Sequence, residues 1–469
     1  MHSDLQQEWL QNTTFDELAI GQGATLARTL TEADIAGFAA VSGDLNPTHL
    51  DDAYARSMGL NGKTAHGMWS GALVSTVLGT VFPGPGTRYV EQRMRFLGTA
   101  SAGDALEIAV RVTSKDAATG QVTLDCVVRK QGGADLMAGE AVVVAPTRKQ
   151  RVPRANGLRW HVFDAAAAVQ RLLDQAAQAG RLKCAVVHPC EPESLRGALD
   201  AARHGLFTPV IVAPRARLMA VAEEAGLDLA GVQIEDVPHS HAAAERAAAL
   251  AAAGEVKALM KGSLHTDELM KAVLSRPELR TKRRLSHVFR FDVPMYHKPL
   301  LVTDAALNIA PSLDEKAHIV QNAIDLAIVL GCDRPKVALL AAVESVNPKM
   351  VATLDAAALC KMADRGQITG GVIDGPLAFD NAISAEAARI KGIFSPVAGD
   401  PDILMVPDLV SGNILAKQLE YLAGAMGSGV VLGARVPIAL TSRADGATAR
   451  LASAALAVLL AQSYARRPL

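Results

Sequence analysis

The chain has 469 residues, of which 50% are hydrophobic and 20% are charged, and its formal net charge at pH 7 is −1. This length corresponds to roughly three domains of ~150 residues, or to two if one is large, which excludes a single small binding module. The composition is that of a globular protein and not of a disordered chain. A general nucleic-acid binder is excluded as well, because it would need an excess of basic residues over the whole chain.

Cysteines are scattered along the chain without C-x-x-C spacing. This distribution argues against a disulfide framework and a zinc site, so we expect no metal and a reducing compartment. The first residues are polar, and no apolar run approaches the ~18 residues that span a bilayer. The sequence therefore predicts a soluble cytoplasmic protein. The five cysteines are Cys126, Cys184, Cys190, Cys332 and Cys360.

The first 146 residues contain short helical patterns followed by alternating strands. Thr31 is placed to cap a short helix that ends at Gly43. Residues 68–81 are apolar nearly all round, which predicts a buried helix. Three later segments alternate apolar and polar residues as half-buried antiparallel strands do: 90–96, 106–112 and 122–129. We therefore predict an α+β domain over residues 1–146, with an antiparallel sheet wrapped around a central helix.

The second part of the chain begins after a predicted linker at residues 147–159, where basic residues lie between two prolines without periodicity. Short β-branched runs then alternate with helical patterns, which predicts a parallel sheet covered on both faces. Residues 160–469 exceed one ordinary core, so we expect two α/β lobes with a cleft between them. The predicted strands are residues 185–188, 209–212, 336–343, 403–406 and 436–440.

A polar segment between two predicted helices of the first domain, GDLNPTHLD, carries the first candidate site. Asp44 and His49 lie on either side of Pro47, which blocks helix propagation, so a bend can turn both side chains toward one point. A carboxylate and an imidazole that converge on water can take a proton from it while another proton is returned to carbon. The structural alternative makes Asp44 and Asn46 Asx-turn residues and His49 a cap.

A second candidate element is His66-Gly67, just before the predicted buried helix. The Gly67 backbone N–H lies there at a positive helix end, which can polarise a carbonyl group as an oxyanion hole. The alternative is an ordinary helix start, because glycine often punctuates loops.

Together, the pattern D-x-N-P-x-H-x-D, then A-H-G-M and a small-residue helix, resembles the MaoC-like dehydratase family, the R-specific enoyl-CoA hydratases of hot-dog fold. The resemblance implies that Asp44 and His49 activate water, that Asn46 supports them and that Gly67 donates to the thioester oxygen. We place His66 with Asn46 in the substrate-binding set. Members with a single hot-dog domain work as dimers, so the resemblance also implies a homodimer or higher homo-oligomer.

Four polar segments of the second part each follow a predicted strand: 344–350, 374–380, 407–413 and 440–445. Because strand ends in open α/β sheets face the ligand crevice, we expect these segments to lie at one crevice. Their combination and order resemble the phosphate acetyl/butyryltransferase family over residues 160–469, most closely its butyryltransferase branch. The resemblance implies a two-lobed α/β fold and reversible exchange of an acyl group between coenzyme A and inorganic phosphate. It implies no bound cofactor, no metal and no covalent enzyme intermediate.

Arg443 is our main candidate for holding phosphate or developing charge, because a guanidinium is planar and donates in a bidentate manner. Ser442 adds a hydroxyl donor beside it. The acetyltransferase branch has a carboxylate base for the thiol two helical turns further on, but residues 447–450 contain no acid, which leaves Asp445. Lys271 stands where the family has a second arginine and keeps only the charge. The other predicted substrate-binding residues are Lys261, Thr266, Asn347, Asp374, Asp380 and Asn413.

Three weaker signals have structural explanations that we prefer. The basic run at residues 280–284 suits a solvated turn better than a contact with nucleotide phosphates. His239 and His241 lack the nearby cysteine or acid pair of a metal site and suit a capping loop. The glycines of residues 427–433 follow a helix and not a strand, unlike a dinucleotide-binding loop.

Both resemblances concern acyl-CoA. The sequence therefore predicts a bifunctional enzyme, an enoyl-CoA hydratase that forms (R)-3-hydroxyacyl-CoA and a phosphate acetyl- or butyryltransferase. One alternative is a decarboxylating dehydrogenase of the isocitrate type, which has similar lobes but needs aspartates for a divalent metal. Another is a transferase whose hot-dog domain only senses acyl-CoA or mediates dimerisation, against which the presence of both Asp44 and His49 argues.

Overall fold

A computed structural model of the protein describes residues 9–154, 165–441 and 446–466. The chain divides into two compact units, Met1–Val162 and Phe163–Leu469. Among the described residues, no helix combines the length and the apolar character needed to cross a membrane.

The first unit is built on an antiparallel sheet. Its described strands are β1 (Trp9–Gln11), β2 (Gly23–Thr29), β3 (Arg88–Phe96), β4 (Ala105–Asp116), β5 (Gln121–Lys130), β6 (Asp135–Val144) and β7 (Arg151–Pro153). Five of them form a sheet in the order β2-β4-β5-β6-β3, in which every neighbouring pair is antiparallel. The three alternating segments lie in β3, β4 and β5, but the prediction of a half-buried strand is wrong for residues 90–96, because β3 is exposed along nearly its whole length. Alternate residues along β5 are buried, as the period-two pattern predicts.

The described helices of this unit are α1 (Glu32–Ser42), α2 (Pro47–Leu50), α3 (Asp52–Ser57) and α4 (Gly67–Thr76), which continues as a π-helical turn over Val77–Val81. Helix α1 begins and ends as predicted. The Thr31 hydroxyl accepts a hydrogen bond from the Asp34 N–H at 3.1 Å, and the helix ends at Gly43, whose φ of 75° favours glycine.

Helix α4 packs on the sheet, which confirms the hot-dog arrangement. Trp69, Leu73 and Val74 are buried in one hydrophobic cluster with side chains of the strands. The helix is nevertheless not buried all round, because Met68 is 54% exposed and Ala72 is also exposed. The prediction of a wholly buried helix is therefore wrong: one side of α4 meets the sheet and the other side lies open in this chain.

Part of the predicted linker is ordered on the first unit. Strand β7 pairs antiparallel with β1. Asn12 is 1% exposed, accepts the Gln150 N–H at 2.8 Å through Oδ1, and donates through Nδ2 to the Arg148 carbonyl at 2.8 Å. We therefore propose a domain boundary after residue 154.

A fragment of residues 1–154 is expected to be more stable than a fragment of residues 1–146. The shorter fragment lacks β7 and leaves buried Asn12 without Gln150 and Arg148, and a buried polar group without its partners costs ~1–3 kcal/mol. Urea unfolding followed by circular dichroism measures both free energies of unfolding. Equal stabilities would contradict the proposed boundary.

The second unit contains one large sheet. Its described strands are β8 (Leu182–Val187), β9 (Phe207–Ala213), β10 (Gln233–Asp236), β11 (Ala258–Lys261), β12 (Ser286–Asp292), β13 (Leu300–Thr303), β14 (Lys336–Leu340), β15 (Val372–Leu377), β16 (Ile403–Met405), β17 (Met426–Leu432) and β18 (Ile438–Ala439). They are ordered β10-β9-β8-β11-β18-β17-β12-β13-β16-β14-β15. The described helices are α5 (Ala165–Ala179), α6 (Pro192–Arg203), α7 (Arg215–Glu224), α8 (Ser240–Ala252), α9 (Thr266–Leu274), α10 (Leu313–Val329), α11 (Val351–Asp364), α12 (Phe379–Ile383), α13 (Ala385–Ile390), α14 (Leu409–Tyr421) and α15 (Ala447–Arg466).

This sheet is mixed, so the prediction of a parallel sheet is wrong for its centre. Strands β8, β9, β10, β11 and β18 run parallel to one another, and so do β13, β14, β15 and β16. Between these groups, β18 with β17, β17 with β12 and β12 with β13 are antiparallel pairs. Three reversals make the two groups run in opposite directions. We call the edge at the carboxyl ends of β8–β11 and β18 the first edge, and that at the carboxyl ends of β13–β16 the second edge.

Among the described residues of this unit, two hydrophobic clusters each belong to one lobe, whereas a third, with side chains of β8, β9, β14 and β16, is shared by both. One joins side chains of β8, β9, β11 and β18 to helices α8 and α9. The other joins β13, β14 and β16 to helix α14. The expected two-lobed α/β fold is confirmed, with both lobes on one continuous sheet.

Candidate active sites

Asp44, His49 and His66 form a cluster in the first unit. Asp44 follows α1, His49 lies in α2, and His66 is the N-cap of α4. One side-chain nitrogen or oxygen of each residue lies within 4.8 Å of the others, and no other group of three or more possible metal ligands is this close among the described residues. The structure thus brings Asp44 and His49 together, as the bend at Pro47 predicts, and adds His66 beside them.

His49 has a defined tautomer because of one backbone contact. Its Nδ1 lies 2.7 Å from the carbonyl oxygen of Thr64, which is buried. A carbonyl only accepts hydrogen bonds, so Nδ1 of the neutral ring carries the hydrogen and Nε2 keeps its lone pair. A nitrogen with this lone pair is suited to take a proton from water.

His66 supports the other two residues. Its Nε2 donates to the Asp44 carbonyl oxygen at 2.9 Å, which fixes the backbone at Asp44. Its ring lies against the His49 ring, with 3.7 Å between centroids, and packs on Phe38 at 5.0 Å. The ring is 3% exposed, and its Nδ1 has no hydrogen-bond partner in the described part of the chain. These contacts favour a positioning role for His66, whereas the sequence analysis puts His66 in the substrate-binding set.

Asp44 and Asn46 also shape the local backbone. Asp44 Oδ1 accepts the Asn46 N–H at 3.2 Å, and Asn46 Oδ1 accepts the Thr48 N–H at 3.2 Å. These are the Asx-turn contacts of the structural alternative. A carboxylate has two oxygens, so a turn made through one of them leaves proton transfer through the other possible.

Gly67 is the first residue of α4, which is ten residues long. The first backbone N–H groups of a helix have no partner inside the helix, and the side chain of the N-cap His66 makes no capping bond. A Cβ at position 67 would lie 3.2 Å from the Phe96 ring. Glycine therefore keeps the space around this exposed helix end open.

Three predicted residues of the second unit lie in or after β11 at the first edge. Lys261 ends β11 and is 5% exposed, and Thr266 begins α9. Lys271 lies further along α9 in an exposed ion pair with Asp267 at 3.3 Å. Sequence reasoning missed two buried polar residues at this edge, His188 and Ser263. The signal available is that His188 directly follows β8 and Ser263 is the second residue after β11.

The remaining predicted substrate-binding residues lie on the lobe of the second edge. Asn347 follows β14, and Asp374 lies within β15. Asp380 lies in the first turn of α12, and its hydrogen bond with Lys391 lowers the pKa of its carboxyl. Asn413 lies in α14 and donates to the Ala305 carbonyl at 3.2 Å.

The expectation that all four polar segments lie at one crevice is therefore wrong. Segments 344–350, 374–380 and 407–413 belong to β14, β15 and β16, whose carboxyl ends define the second edge. Segment 440–445 follows β18 and starts at the first edge. The physical reason is the three consecutive antiparallel pairings, β18 with β17, β17 with β12 and β12 with β13, which together reverse the strand direction between the lobes.

Ser442, Arg443 and Asp445 lie outside the described residues. Thr441, the last described residue before them, is 3% exposed. Its hydroxyl accepts a hydrogen bond from Nη1 of Arg450 at 2.9 Å, and Arg450 is itself 2% exposed on α15. Both flanks of the segment are thus anchored in the core.

The weaker sequence signals have structural roles. Arg283 and Arg284 form ion pairs with α10, each at 2.9 Å. His239 caps α8 through Nδ1, which accepts the Ala242 N–H at 3.1 Å, as the capping-loop interpretation predicts. His241 pairs with Glu268.

Comparison with known proteins identifies the second unit. Residues 241–458 match the family described as Phosphate acetyl/butaryl transferase. A phosphate acetyltransferase of Rhizobium meliloti is 61% identical over 277 residues, which cover 59% of this chain and 88% of that protein. A branched-chain phosphotransacylase from Enterococcus faecalis V583 is similar in structure, with a TM-score of 0.53, 31% identity and coverage of 60% of this chain and 98% of the other.

The first unit has its own match. Residues 18–130 match the family described as MaoC like domain. An R-hydratase, PhaJ1 from Pseudomonas aeruginosa, is 39% identical, with a TM-score of 0.32 and coverage of 33% of this chain and 99% of the other. The chain therefore belongs to the phosphate acetyl/butyryltransferase family and carries a MaoC-like domain ahead of its transferase part.

Proposed function

We propose that the protein is a bifunctional enzyme acting on acyl-CoA, with an enoyl-CoA hydratase site in the first unit and a phosphate acyltransferase site in the second. The transferase proposal rests on the similarity to phosphate acetyltransferases. The hydratase proposal rests on one observation above all: the lone pair on His49 Nε2 lies in the same cluster as the Asp44 carboxylate.

Hydration needs one group that removes a proton from water and one that returns a proton to carbon. In our proposal Asp44 and His49 share these roles, so that hydroxide adds to C3 of a 2-enoyl thioester and a proton is delivered to C2. Negative charge then develops on the thioester oxygen. The Gly67 N–H, at the positive end of α4, is placed to stabilise it.

Acyl transfer joins two anionic substrates, so it needs cations and hydrogen-bond donors more than covalent chemistry. We propose that Arg443 and Ser442 hold the phosphate or the developing oxyanion. Buried Lys261, at the end of the neighbouring strand β11, adds positive charge at the same edge. We propose that no cofactor takes part, and that the reaction takes place in the cytoplasm, where free thiols such as these five cysteines persist.

Self-association through the first unit is part of the proposal. Strand β3 is an edge of its sheet and is exposed along nearly its whole length, and the open side of α4 carries exposed Met68. An unpaired edge strand is a template for pairing with a second chain. The same surface supports the alternative in which the first unit only mediates dimerisation.

An activity screen separates these possibilities. The enzyme is incubated with crotonyl-CoA, and separately with acetyl-, butyryl- and 3-hydroxybutyryl-CoA with and without phosphate. We expect hydration of crotonyl-CoA, and phosphate-dependent release of free thiol from at least one saturated acyl-CoA. Transfer without hydration would favour the dimerisation or sensing alternative, whereas hydration without transfer would contradict the role proposed for the second unit.

A further inference from the structure

His188 and Ser263 lie beside each other at the first edge of the second unit. His188 follows β8, and Ser263 lies two residues beyond the end of β11. These strands pair with Val187 opposite Lys261, and β11 in turn pairs with β18. The two residues therefore lie at the same sheet edge as Thr441, which follows β18.

The Ser263 hydroxyl is the centre of a small hydrogen-bond network. It donates to the His188 carbonyl oxygen at 2.8 Å and accepts the Cys190 N–H at 3.2 Å. Its oxygen lies 3.4 Å from His188 Nδ1. Because the single hydroxyl hydrogen is used by the carbonyl, the oxygen can only accept from the ring, so Nδ1 carries the hydrogen and Nε2 keeps its lone pair.

The backbone here is held in an unusual conformation. His188 has a φ of 52°, and it is the one non-glycine residue with positive φ in the described part of the chain. Such conformations concentrate at functional sites, where neighbouring structure imposes them. Gly262 contributes to this constraint, because a Cβ there would lie 2.5 Å from the Val187 carbonyl oxygen and 2.6 Å from that of His188.

Both side chains are nearly buried, with His188 5% and Ser263 8% exposed. Burial lowers the pKa of His188, and Arg217 lowers it further, while Glu268 and Glu191 act in the opposite direction. The lowered pKa favours the neutral imidazole, which is the form that can accept a proton.

We propose that His188 takes the proton from the coenzyme A thiol during acyl transfer and that Ser263 positions its ring. This inference rests on the transferase function proposed above. When coenzyme A attacks an acyl phosphate, the thiol proton moves to Nε2 and the sulfur forms a bond to the acyl carbon. The carbon–oxygen bond to phosphate then breaks, the oxygen keeps the electron pair, and the proton passes to the departing phosphate. The reverse reaction uses the same groups in the opposite order.

The sequence provides no carboxylate base for the thiol at the position where the acetyltransferase branch has one. Residues 447–450, where a carboxylate base is expected from the acetyltransferase branch, are Ala-Thr-Ala-Arg. Arg450 donates a hydrogen bond to the Thr441 hydroxyl, so the first residues of α15 carry a cation and no carboxylate. A neutral histidine at the same edge supplies the missing proton acceptor.

The test replaces His188 by asparagine, a residue that tolerates positive φ, so that the backbone is preserved. We expect the rate of acyl transfer to fall by about 10²-fold or more while hydration of crotonyl-CoA is unchanged. The matched control is His204→Asn, an exposed histidine at the end of α6, which should transfer at the wild-type rate. Circular dichroism of His188→Asn verifies that the second unit is folded.

Two further measurements separate a base from a merely structural residue. His188→Gly, which also accommodates positive φ, should regain transfer when imidazole is added. In the wild type, kcat/KM for coenzyme A should fall as the pH is lowered through the pKa of His188, because the protonated ring cannot accept the thiol proton. This fall at low pH should be absent from the pH profile of His188→Asn. An active wild type with normal transfer in His188→Asn, or the absence of rescue by imidazole, would overturn the inference. An inactive wild type would overturn the transferase proposal itself.

Discussion

Changing Arg443 to glutamine is expected to lower the rate of acyl phosphate formation by about 10²–10³-fold, the loss typical of removing one key donor from a preorganised site. Glutamine keeps a hydrogen-bond donor but removes the positive charge and the bidentate guanidinium. Hydration of crotonyl-CoA should continue at the wild-type rate, because we assign that reaction to the first unit.

The measurement follows thiol release from butyryl-CoA in the presence of phosphate, at saturating and at low phosphate. Arg435→Gln is the matched control, because Arg435 is an exposed arginine on the loop between β17 and β18. Arg443→Lys should fall between the wild type and Arg443→Gln, since it restores charge without the fork geometry. A wild-type rate for Arg443→Gln would remove Arg443 from the site.

Asp445→Asn tests whether the acidic residue two positions after Arg443 in the sequence is the base for the coenzyme A thiol. If His188 is the base, this substitution should leave the pH dependence of transfer as in the wild type. A shifted or lost acidic limb would instead assign the base to Asp445. The pH profiles of Asp445→Asn and His188→Asn therefore give opposite answers under the two hypotheses.

Local sequence patterns predict most of the helices and strands, but they do not predict the direction in which each strand runs in the sheet. The period-two alternation of residues 106–112 and 122–129 marks β4 and β5 because each strand buries one face. The strand–helix alternation marks both lobes of the second unit. No local pattern carries the orientation of β12 and β17, which depends on pairing across the sheet. The placement of the polar segments at a single edge failed for this reason.

The candidate sites show the same difference between features that local sequence predicts and features that depend on tertiary contacts. That Asp44 and His49 lie close together is predictable from the sequence, because a proline between them enforces a bend. The His66 bond to the Asp44 carbonyl was not predictable, since it joins residues 22 apart through a backbone atom. His188 was missed because its left-handed conformation and its contact with Ser263 are tertiary features.

Changing Asp44 to asparagine should reduce the hydration of crotonyl-CoA by on the order of 10²-fold or more, because it removes a proton-transfer group. The side-chain oxygen of asparagine can still accept the Asn46 N–H that Asp44 Oδ1 accepts at 3.2 Å. The turn is therefore retained, and the loss reports chemistry and not folding. Phosphate-dependent acyl transfer should remain at the wild-type rate.

The matched control for this last experiment is Asp125→Asn, which breaks a partly exposed ion pair with Arg111 in the first unit. Such a pair contributes little to stability, so hydration should be unchanged. His49→Gln should lose as much activity as Asp44→Asn, and the double variant little more than either, because two groups that act as one acid–base unit are not additive. An unaltered hydration rate in Asp44→Asn would instead assign the cluster a structural role. Strand β3 and the open side of α4 would then carry the function of the first unit, as a surface for self-association.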